Sequence, residues 1–229
     1  MRVFLASALL VCGVAPSAAA AAPATPRELL INAAFVAPDK RAALAEVEQA
    51  LAAANGALAI DPGDREARLQ RAMAIGYRAK LTRTARDAKL SHRLFQQFAA
   101  RYPRDPEAQL ALGGWHLDAI ADLGPMLAGL VLGAKKASGL AEIDRAVTLG
   151  GDRAFFRGFA AMMHIRADPH DVTAARALAE AAAAAPAPSP LDRIARRDAA
   201  AMLVPLRAGD GEAAAGLARR LLPFGDLAG

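Results

Sequence analysis

A histidine and two carboxylates lie together in the stretch LGGWHLDAIADLG, residues 112–124, beside the only tryptophan of the chain. Asp118 and Asp122 are four residues apart, so they share one face of a helix. With His116 they provide the side chains that general acid–base catalysis uses. The alternative is packing, in which the two glycines admit a neighbouring helix, the tryptophan fills space, and the carboxylates are solvated or paired with arginine. We favour packing.

Histidine residues also raise the question of a metal site. His116 and His164 occupy equivalent positions in a sequence repeat described below. Zinc needs three or four ligands in a defined geometry, and no local His-x-x-x-His or carboxylate cluster completes such a set. The run at 168–171, Asp-Pro-His-Asp, is typical of the end of one helix and the cap of the next. We predict no metal and no other cofactor, and we expect Ile75, His116 and His164 to line a groove.

Catalytic motifs provide no further candidates. The sequence has no Gly-x-Ser-x-Gly elbow, phosphate-binding loop, dinucleotide fingerprint or His-Glu-x-x-His helix. Beyond the first 22 residues the serines are Ser91, Ser138 and Ser189, none in a recognisable nucleophile setting. We therefore predict a protein without catalytic activity, and a hydrolase with an unrecognised site is the weaker alternative.

The first residues, MRVFLASALLVCGVAPSAAAAAPATP, have the layout of a secretory signal peptide. A basic start precedes an apolar run and then small residues, which predicts a signal peptide over 1–22 and a periplasmic protein. The apolar run is shorter than the roughly 20 residues of a spanning helix, so no transmembrane segment is expected in the mature chain. The alternative is a lipoprotein anchored through Cys12, the only cysteine, although Val11 is unfavourable before a lipidated cysteine.

The remaining chain shows the period of helices only, and no window alternates with a period of two. Alanine and leucine are abundant and β-branched residues few, which favours packed helices. Asp-Pro, Gly-Pro and Gly-Gly turn signals separate the segments. The predicted helices cover about 26–36, 40–59, 64–81, 84–101, 105–122, 125–132, 137–149, 152–166, 170–185, 190–207 and 210–222, with boundaries uncertain by roughly 2–4 residues.

An internal repeat is visible in the small and apolar positions of these helices. Four segments share one second-helix spacing: Ala50, Ala54, Ala57 and Pro62; Ser91, Phe95, Phe98 and Pro103; Gly139, Ile143, Ala146 and Gly151; Ala174, Leu178, Ala181 and Pro186. Three first helices share another: Arg68, Arg71, Ala72 and Ile75; Gln109, Leu112, Gly113 and His116; Arg157, Ala160, Ala161 and His164. Over residues 40–186 the chain therefore resembles tetratricopeptide-repeat proteins, with degenerate copies.

The resemblance implies a fold and a domain organisation. We expect an all-α, right-handed α-solenoid of antiparallel helix pairs, which buries apolar faces between neighbours and presents a concave binding surface. A flexible linker and first short helix over 23–39 would precede the repeats, and a C-terminal capping helix pair would occupy 187–229. The repeats are longer than the usual 34 residues, and residues 124–134 form an insertion that we predict to be a short apolar helix begun by Pro125.

Positive charge is concentrated in one segment. Residues 65–104 contain eleven Lys or Arg against two acidic residues, although the net charge of the whole chain is only +5. Such a face could be merely solvated, or could bind an acidic protein, a peptide or anionic lipid headgroups; nucleic acid is not expected for an exported protein with few aromatic residues. The predicted partner-binding residues are Arg78, Arg83, Arg86, Lys89 and Arg93. His92, among them, is expected to be exposed.

Two functions follow from these expectations. The first is an exported scaffold that binds a protein or peptide partner, possibly an acidic one, without catalysis. The alternative is a periplasmic binder of a small apolar ligand or lipid in the solenoid groove. The position of the 124–134 insertion distinguishes them: it would pack across the groove in a ligand binder and on the outside of a scaffold.

Overall fold

The computed structural model describes residues 24–227, and this part of the chain folds into helices without strands. The helices are α1 (Pro26–Phe35), α2 (Lys40–Ile60), α3 (Arg65–Thr82), α4 (Ala85–Arg101), α5 (Pro106–Leu123), α6 (Pro125–Leu132), α7 (Lys136–Leu149), α8 (Ala154–Ala167), α9 (Val172–Ala184), α10 (Pro190–Arg207) and α11 (Gly211–Leu221), followed by a 3-10 turn (Gly225–Leu227). The all-α prediction is confirmed. The predicted signal peptide and Cys12 lie outside the described residues.

Local signals account for where the helices begin. The side chain of Asp39 accepts a hydrogen bond from the backbone N–H of Ala42 at 2.8 Å, and Asp64 caps α3 in the same way. Proline occupies the first turn of α1, α5, α6 and α10, where its missing N–H costs nothing. Because caps and turns act locally, the predicted helix boundaries agree with the observed ones to within two residues.

Helices that follow one another in the sequence pack against each other, with one exception at α6. Helix α5 packs on α7, while α6 lies against α5 and α4. Small residues permit the close approach of α5 and α7: a Cβ atom at Gly113 would lie 2.7 Å from the carbonyl oxygen of Gly139. The 124–134 insertion thus forms a short helix beside α5 and α4, and α7 packs on α5 in its place.

The buried face of α9 lies one residue away from the positions that share the repeat spacing. Those positions are Ala174, Leu178 and Ala181. The buried residues of this helix are Ala175, Ala179 and Ala182. Because α9 is rich in alanine, two adjacent registers both provide a stripe of small apolar residues, and only the packing against α8 and α10 selects one of them.

The C-terminal segment returns to the N-terminal helices. The backbone N–H of Phe224 donates to the carbonyl oxygen of Ala34 at 3.0 Å, and the Phe224 ring meets the Tyr77 ring edge-on at 4.8 Å between centroids. Phe224 is buried in the cluster formed by α1, α2 and α3. The residues after α11 therefore join the two ends of the described chain, which a simple capping pair would not do.

Within residues 24–227, no helix combines the length and the apolar character that spanning a membrane requires.

Candidate functional site

A cavity of about 520 Å³ lies between the N-terminal helices, α5, α6 and the C-terminal segment. Ligand pockets in proteins typically measure 300–1,000 Å³ and have mostly apolar walls. Large apolar side chains from widely separated parts of the sequence line this one: Leu30, Phe35, Met73, Phe95, Trp115, Leu127, Phe159 and Phe224. The return of the C-terminal segment to α1 thus completes its wall.

Helix α6 forms one side of the cavity. Its residue Ala128 is fully buried and anchors the helix, whereas Leu127 and Val131 line the cavity and are open to it. Leu123, at the end of α5, lies beside them. The insertion therefore borders the cavity and is not confined to an outer surface.

Trp115 contributes both to packing and to the cavity wall. Its indole N–H donates to the carbonyl oxygen of Ala88 at 3.1 Å, which ties α5 to α4. Its ring stacks in parallel on His92 with centroids 3.8 Å apart. His92 is half-buried by this stack, so the expectation that it would be exposed is wrong; burial also lowers its pKa. In the sequence His92 stands among charged residues, and nothing there indicates that the ring of Trp115, on the next helix, covers it.

His116 is a structural residue in this arrangement. It is buried between α5 and the segment after α6, and its Nδ1 accepts the backbone N–H of Lys135 at 3.4 Å. Burial, with the positive charges of His92 and Lys135, lowers its pKa to about 4. A general base works best with a pKa near the operating pH, so the neutral His116 ring is poorly suited to that role.

The polar part of the cavity is an ion-pair cluster. The Asp118 carboxylate forms ion pairs with Arg166 at 2.7 Å and with Lys80 at 3.4 Å. Burial opposes ionisation of Asp118, but the two cations outweigh it and hold its pKa below the usual value. Burial and the Asp118 charge raise the pKa of Tyr77, which stays a neutral phenol. Within the described chain the Tyr77 hydroxyl makes no hydrogen bond, so it can bind the polar group of a ligand.

A second ion-pair cluster fixes α1 as a wall of the cavity. The Arg27 guanidinium binds the Glu66 carboxylate of α3 at 2.6 Å and the Glu107 carboxylate of α5 at 2.8 Å. The two carboxylates raise the pKa of Arg27 against the opposing effect of its burial, so it stays charged. One residue thereby joins three helices at the edge of the cavity.

The three predicted groove residues lie elsewhere. Ile75 is buried in the core of α1, α2 and α3. His164 is held between Asp171 at 2.9 Å and Asp144 at 2.8 Å. None of Ile75, His116 and His164 is among the residues that line the cavity, because the repeat positions face the adjacent helix. The lining includes instead their sequence neighbours Tyr77 and Trp115.

The predicted basic residues divide into two groups. Arg78 binds Asp87 at 2.7 Å and Glu48 at 3.4 Å, and the hydrogen bond to Asp87 raises its pKa although partial burial opposes this. It is thus engaged within the fold. The other four are exposed, and no carboxylate of residues 24–225 lies within 4 Å of their cationic groups: Arg83, Arg86, Lys89 and Arg93. Arg83 also lines the mouth of the cavity.

No group of three or more His, Cys, Asp or Glu residues among the described side chains is placed to hold a metal ion. Comparison with protein-family models, curated proteins and solved structures finds no match for the chain.

Substituting Trp115 with alanine tests how much this residue stabilises the fold. We expect Trp115→Ala to lower the free energy of unfolding by about 2–3 kcal/mol, below the 3–5 kcal/mol for a fully buried aromatic, because the ring is only half-buried. Urea unfolding followed by circular dichroism measures it. The control Trp115→Phe keeps a stacking ring and loses only the bond to Ala88, so it should cost about 1 kcal/mol. Equal stability of Trp115→Ala and the native protein would contradict the packing role.

Proposed function

We propose that this protein binds a small amphiphilic ligand, a molecule with a long apolar part and one polar group, in the cavity beside α6. The observation that carries the proposal is the position of the insertion: Leu127 and Val131 of α6 form a wall of the cavity. The ligand-binding alternative predicts an insertion across the groove and the scaffold predicts one on the outside; a helix that forms one wall of the cavity favours the former. The cavity size is also in the usual range for small-molecule sites.

The arrangement of polar groups suggests how the ligand is oriented. Lys80 and Asp118 line one side of the cavity and form an ion pair, and Arg166, which does not line it, also binds Asp118. The Tyr77 hydroxyl, close enough to Asp118 for that charge to raise its pKa, makes no hydrogen bond within the described residues and can therefore donate one to a ligand. A ligand hydroxyl or carboxyl group would bind there, and its apolar chain would lie along Trp115 and α6.

The same proposal covers architecture and location. We infer that the helix pairs of 40–186 form a tetratricopeptide-like solenoid, supported by the packing of consecutive helices and by the buried small residues Ala72, Gly113 and Ala161. Export to the periplasm is inferred from the leader-like sequence of 1–22. The anchoring of a lipoprotein through Cys12 stays an alternative prediction.

Catalysis is not part of the proposal. Ser91 is the serine that lines the cavity, and its hydroxyl donates to the Ala88 carbonyl oxygen at 3.0 Å rather than to a base. Binding of an acidic protein or peptide to the exposed cations of α4 stays a separate prediction. The hydrolase hypothesis has no nucleophile–base pair among the cavity residues described above.

Filling the cavity should weaken ligand binding. Ala111 and Ala119 line the cavity and are half-buried, so we expect Ala111→Phe and Ala119→Phe each to weaken binding at least about tenfold, since a phenyl ring occupies volume that the ligand needs. The probe is dodecanoic acid, titrated while the emission of Trp115, the only tryptophan, is recorded.

The matched control places the same ring elsewhere. Ala53 is exposed on α2 and does not line the cavity, so Ala53→Phe should leave the dissociation constant unchanged. Circular dichroism confirms that each variant is folded. Absence of saturable binding to the native protein, or binding that both cavity variants retain in full, would overturn the proposal.

A further inference from the structure

Helix α6 exposes large apolar side chains that the fold leaves uncovered. Met126 is 87% exposed and Leu130 is 84% exposed, and neither lines the cavity. They are four residues apart, so they project from the same side of the helix. Leu127 and Val131 occupy the adjacent side and face the cavity. No charged residue occurs between Leu123 and Ala134.

Positive side chains flank this apolar helix. Arg83, directly after α3, lines the cavity together with Leu127 and Val131. Lys135 follows the helix after two residues and is exposed. Lys89 lies one turn before His92 on α4, which contacts α6 although the main neighbour of α6 is α5.

These flanking cations form no close ion pair among the described side chains, although Arg83 attracts Asp122 at longer range. Within residues 24–225, no carboxylate lies within 4 Å of the cationic groups of Arg83, Lys89 and Lys135, whereas their neighbours Lys80 and Lys136 are paired. Arg86 and Arg93 stand three and four residues from Lys89 and extend the same positive surface. Asp122, the acid nearest to α6 in the sequence, lines the same cavity as Leu127 and Val131, and the three cations Arg83, Lys89 and Lys135 outnumber it.

We propose that α6 docks onto an anionic lipid bilayer, with Met126 and Leu130 inserted among the lipids and Arg83, Lys89 and Lys135 at the headgroups. Charge complementarity selects this partner: exposed apolar residues bordered by cations match an apolar interior bordered by acidic headgroups. The eight residues of α6 extend about 12 Å, far less than the roughly 30 Å of the hydrocarbon core. The helix therefore lies in the interface and does not cross it.

The proposed docking has a consequence for the cavity. Leu127 and Val131 belong to the docked helix, so the cavity mouth would lie at the lipid surface. The docking inference has its own basis, however, and does not depend on the cavity being a ligand site. Failure of dodecanoic acid to bind would leave it standing.

The test is binding to large unilamellar vesicles, measured by flotation. One set contains phosphatidylcholine alone, and the other contains phosphatidylcholine with about a third phosphatidylglycerol. Each cation near an anionic surface strengthens binding about fivefold, so the triple variant Arg83→Gln, Lys89→Gln and Lys135→Gln should bind the anionic vesicles about a hundredfold more weakly. The native protein should also bind more weakly in 1 M salt, where the screening length falls from about 8 Å to about 3 Å.

The apolar contribution is tested separately. Replacement of Met126 and Leu130 by serine should weaken vesicle binding at least about tenfold, because two large apolar side chains no longer leave water. The control replaces Ile60 and Val204, equally exposed apolar residues on α2 and α10, by serine. The charge control replaces Arg176, Arg196 and Arg219, exposed cations of α9 to α11, by glutamine. Neither control should change binding, and residues 1–23 are common to all the proteins compared.

The outcomes separate a bilayer from an acidic protein. A native protein that binds soluble polyglutamate through the three cations, and does not bind vesicles, would overturn the proposal in favour of an acidic partner. Equal vesicle binding by the Met126 and Leu130 double variant and the native protein would also overturn it. Binding that requires anionic lipid, the cations and the two apolar side chains supports it.

Discussion

Replacing Asp192 with alanine is expected to lower the free energy of unfolding by about 3 kcal/mol, because it removes charge-assisted hydrogen bonds to a buried carboxylate whose partner Arg153 is itself only partly buried. The side chain of Asp192 is 0% exposed and receives three kinds of donor: Arg153 at 2.9 Å, the Ser189 hydroxyl at 2.6 Å and the Phe155 backbone N–H at 3.0 Å. Its loss removes one half of the capping box of α10, the acceptor of the Ser189 backbone N–H, and leaves the Arg153 guanidinium without its counter-charge. Urea unfolding at pH 7 measures the effect.

The effect of Asp192 should depend on pH in a defined direction. Burial opposes its ionisation, but the bonds from Arg153, Ser189 and Phe155 outweigh burial and hold its pKa below the ordinary value. A carboxylate with a depressed folded-state pKa contributes stability above its unfolded pKa of about 3.9, and this contribution is lost as the pH falls through the folded pKa. The difference in the free energy of unfolding between the native protein and Asp192→Asn should therefore be largest at pH 7 and should decrease below about pH 4.

An exposed aspartate serves as the control for this experiment. Asp152 precedes α8 on the surface and makes no side-chain hydrogen bond within the described chain, so Asp152→Asn should change stability by less than about 0.5 kcal/mol. The interpretation fails if Asp192→Ala costs no more than Asp152→Asn, or if the difference for Asp192→Asn is the same at pH 7 and pH 3.

The second large effect is expected at the contact between α5 and α7. Gly113→Val should lower the free energy of unfolding by about 3 kcal/mol, the upper end for overpacking. A Cβ atom there would lie 2.7 Å from the Gly139 carbonyl oxygen and 3.0 Å from the Ile143 backbone nitrogen. Backbone atoms cannot rotate aside as side chains do, so the two helices must separate. Thermal unfolding followed by circular dichroism measures the loss.

A glycine without neighbours provides the matched control. Gly56 lies well inside α2 in the sequence and on its exposed side, and no atom would lie within 4 Å of a Cβ atom there. Gly56→Ala should therefore raise the free energy of unfolding by about 0.5–1 kcal/mol through better helix propensity. A Gly113→Val protein as stable as the native one would show that α5 and α7 do not approach as described.

The positions of the helices could be read from the sequence because their signals are local. Asp39 and Asp64 cap helices through N–H groups three residues away, and prolines and glycines end segments at the residue itself. Even the short α6 was indicated by Pro125 at its start and by the apolar run that follows. The small residue at Gly113 likewise predicted a close helix contact, since only a missing side chain permits one.

The cavity could not be read in this way. Its walls combine Arg27, Trp115 and Phe224, which come from both ends and the middle of the chain. The repeat spacing identified Ile75, His116 and His164, but that spacing reports which residues face the next helix, not which face the interior space. In α9 the spacing did not distinguish two sets of positions one residue apart, because both sets consist mainly of alanine and either could form the buried face.

Two further features depended on contacts between distant residues. His92 follows exposed basic residues in the sequence, yet its ring stacks on Trp115 of the next helix. Phe224 lies beyond the last helix, yet its N–H binds the Ala34 carbonyl oxygen and closes the fold. The sequence alone determined helices, caps and close contacts, because a hydrogen bond to a residue three or four positions away needs no other part of the chain. The cavity and its polar group were decided only by tertiary structure, because they arise where side chains separated by up to two hundred residues meet.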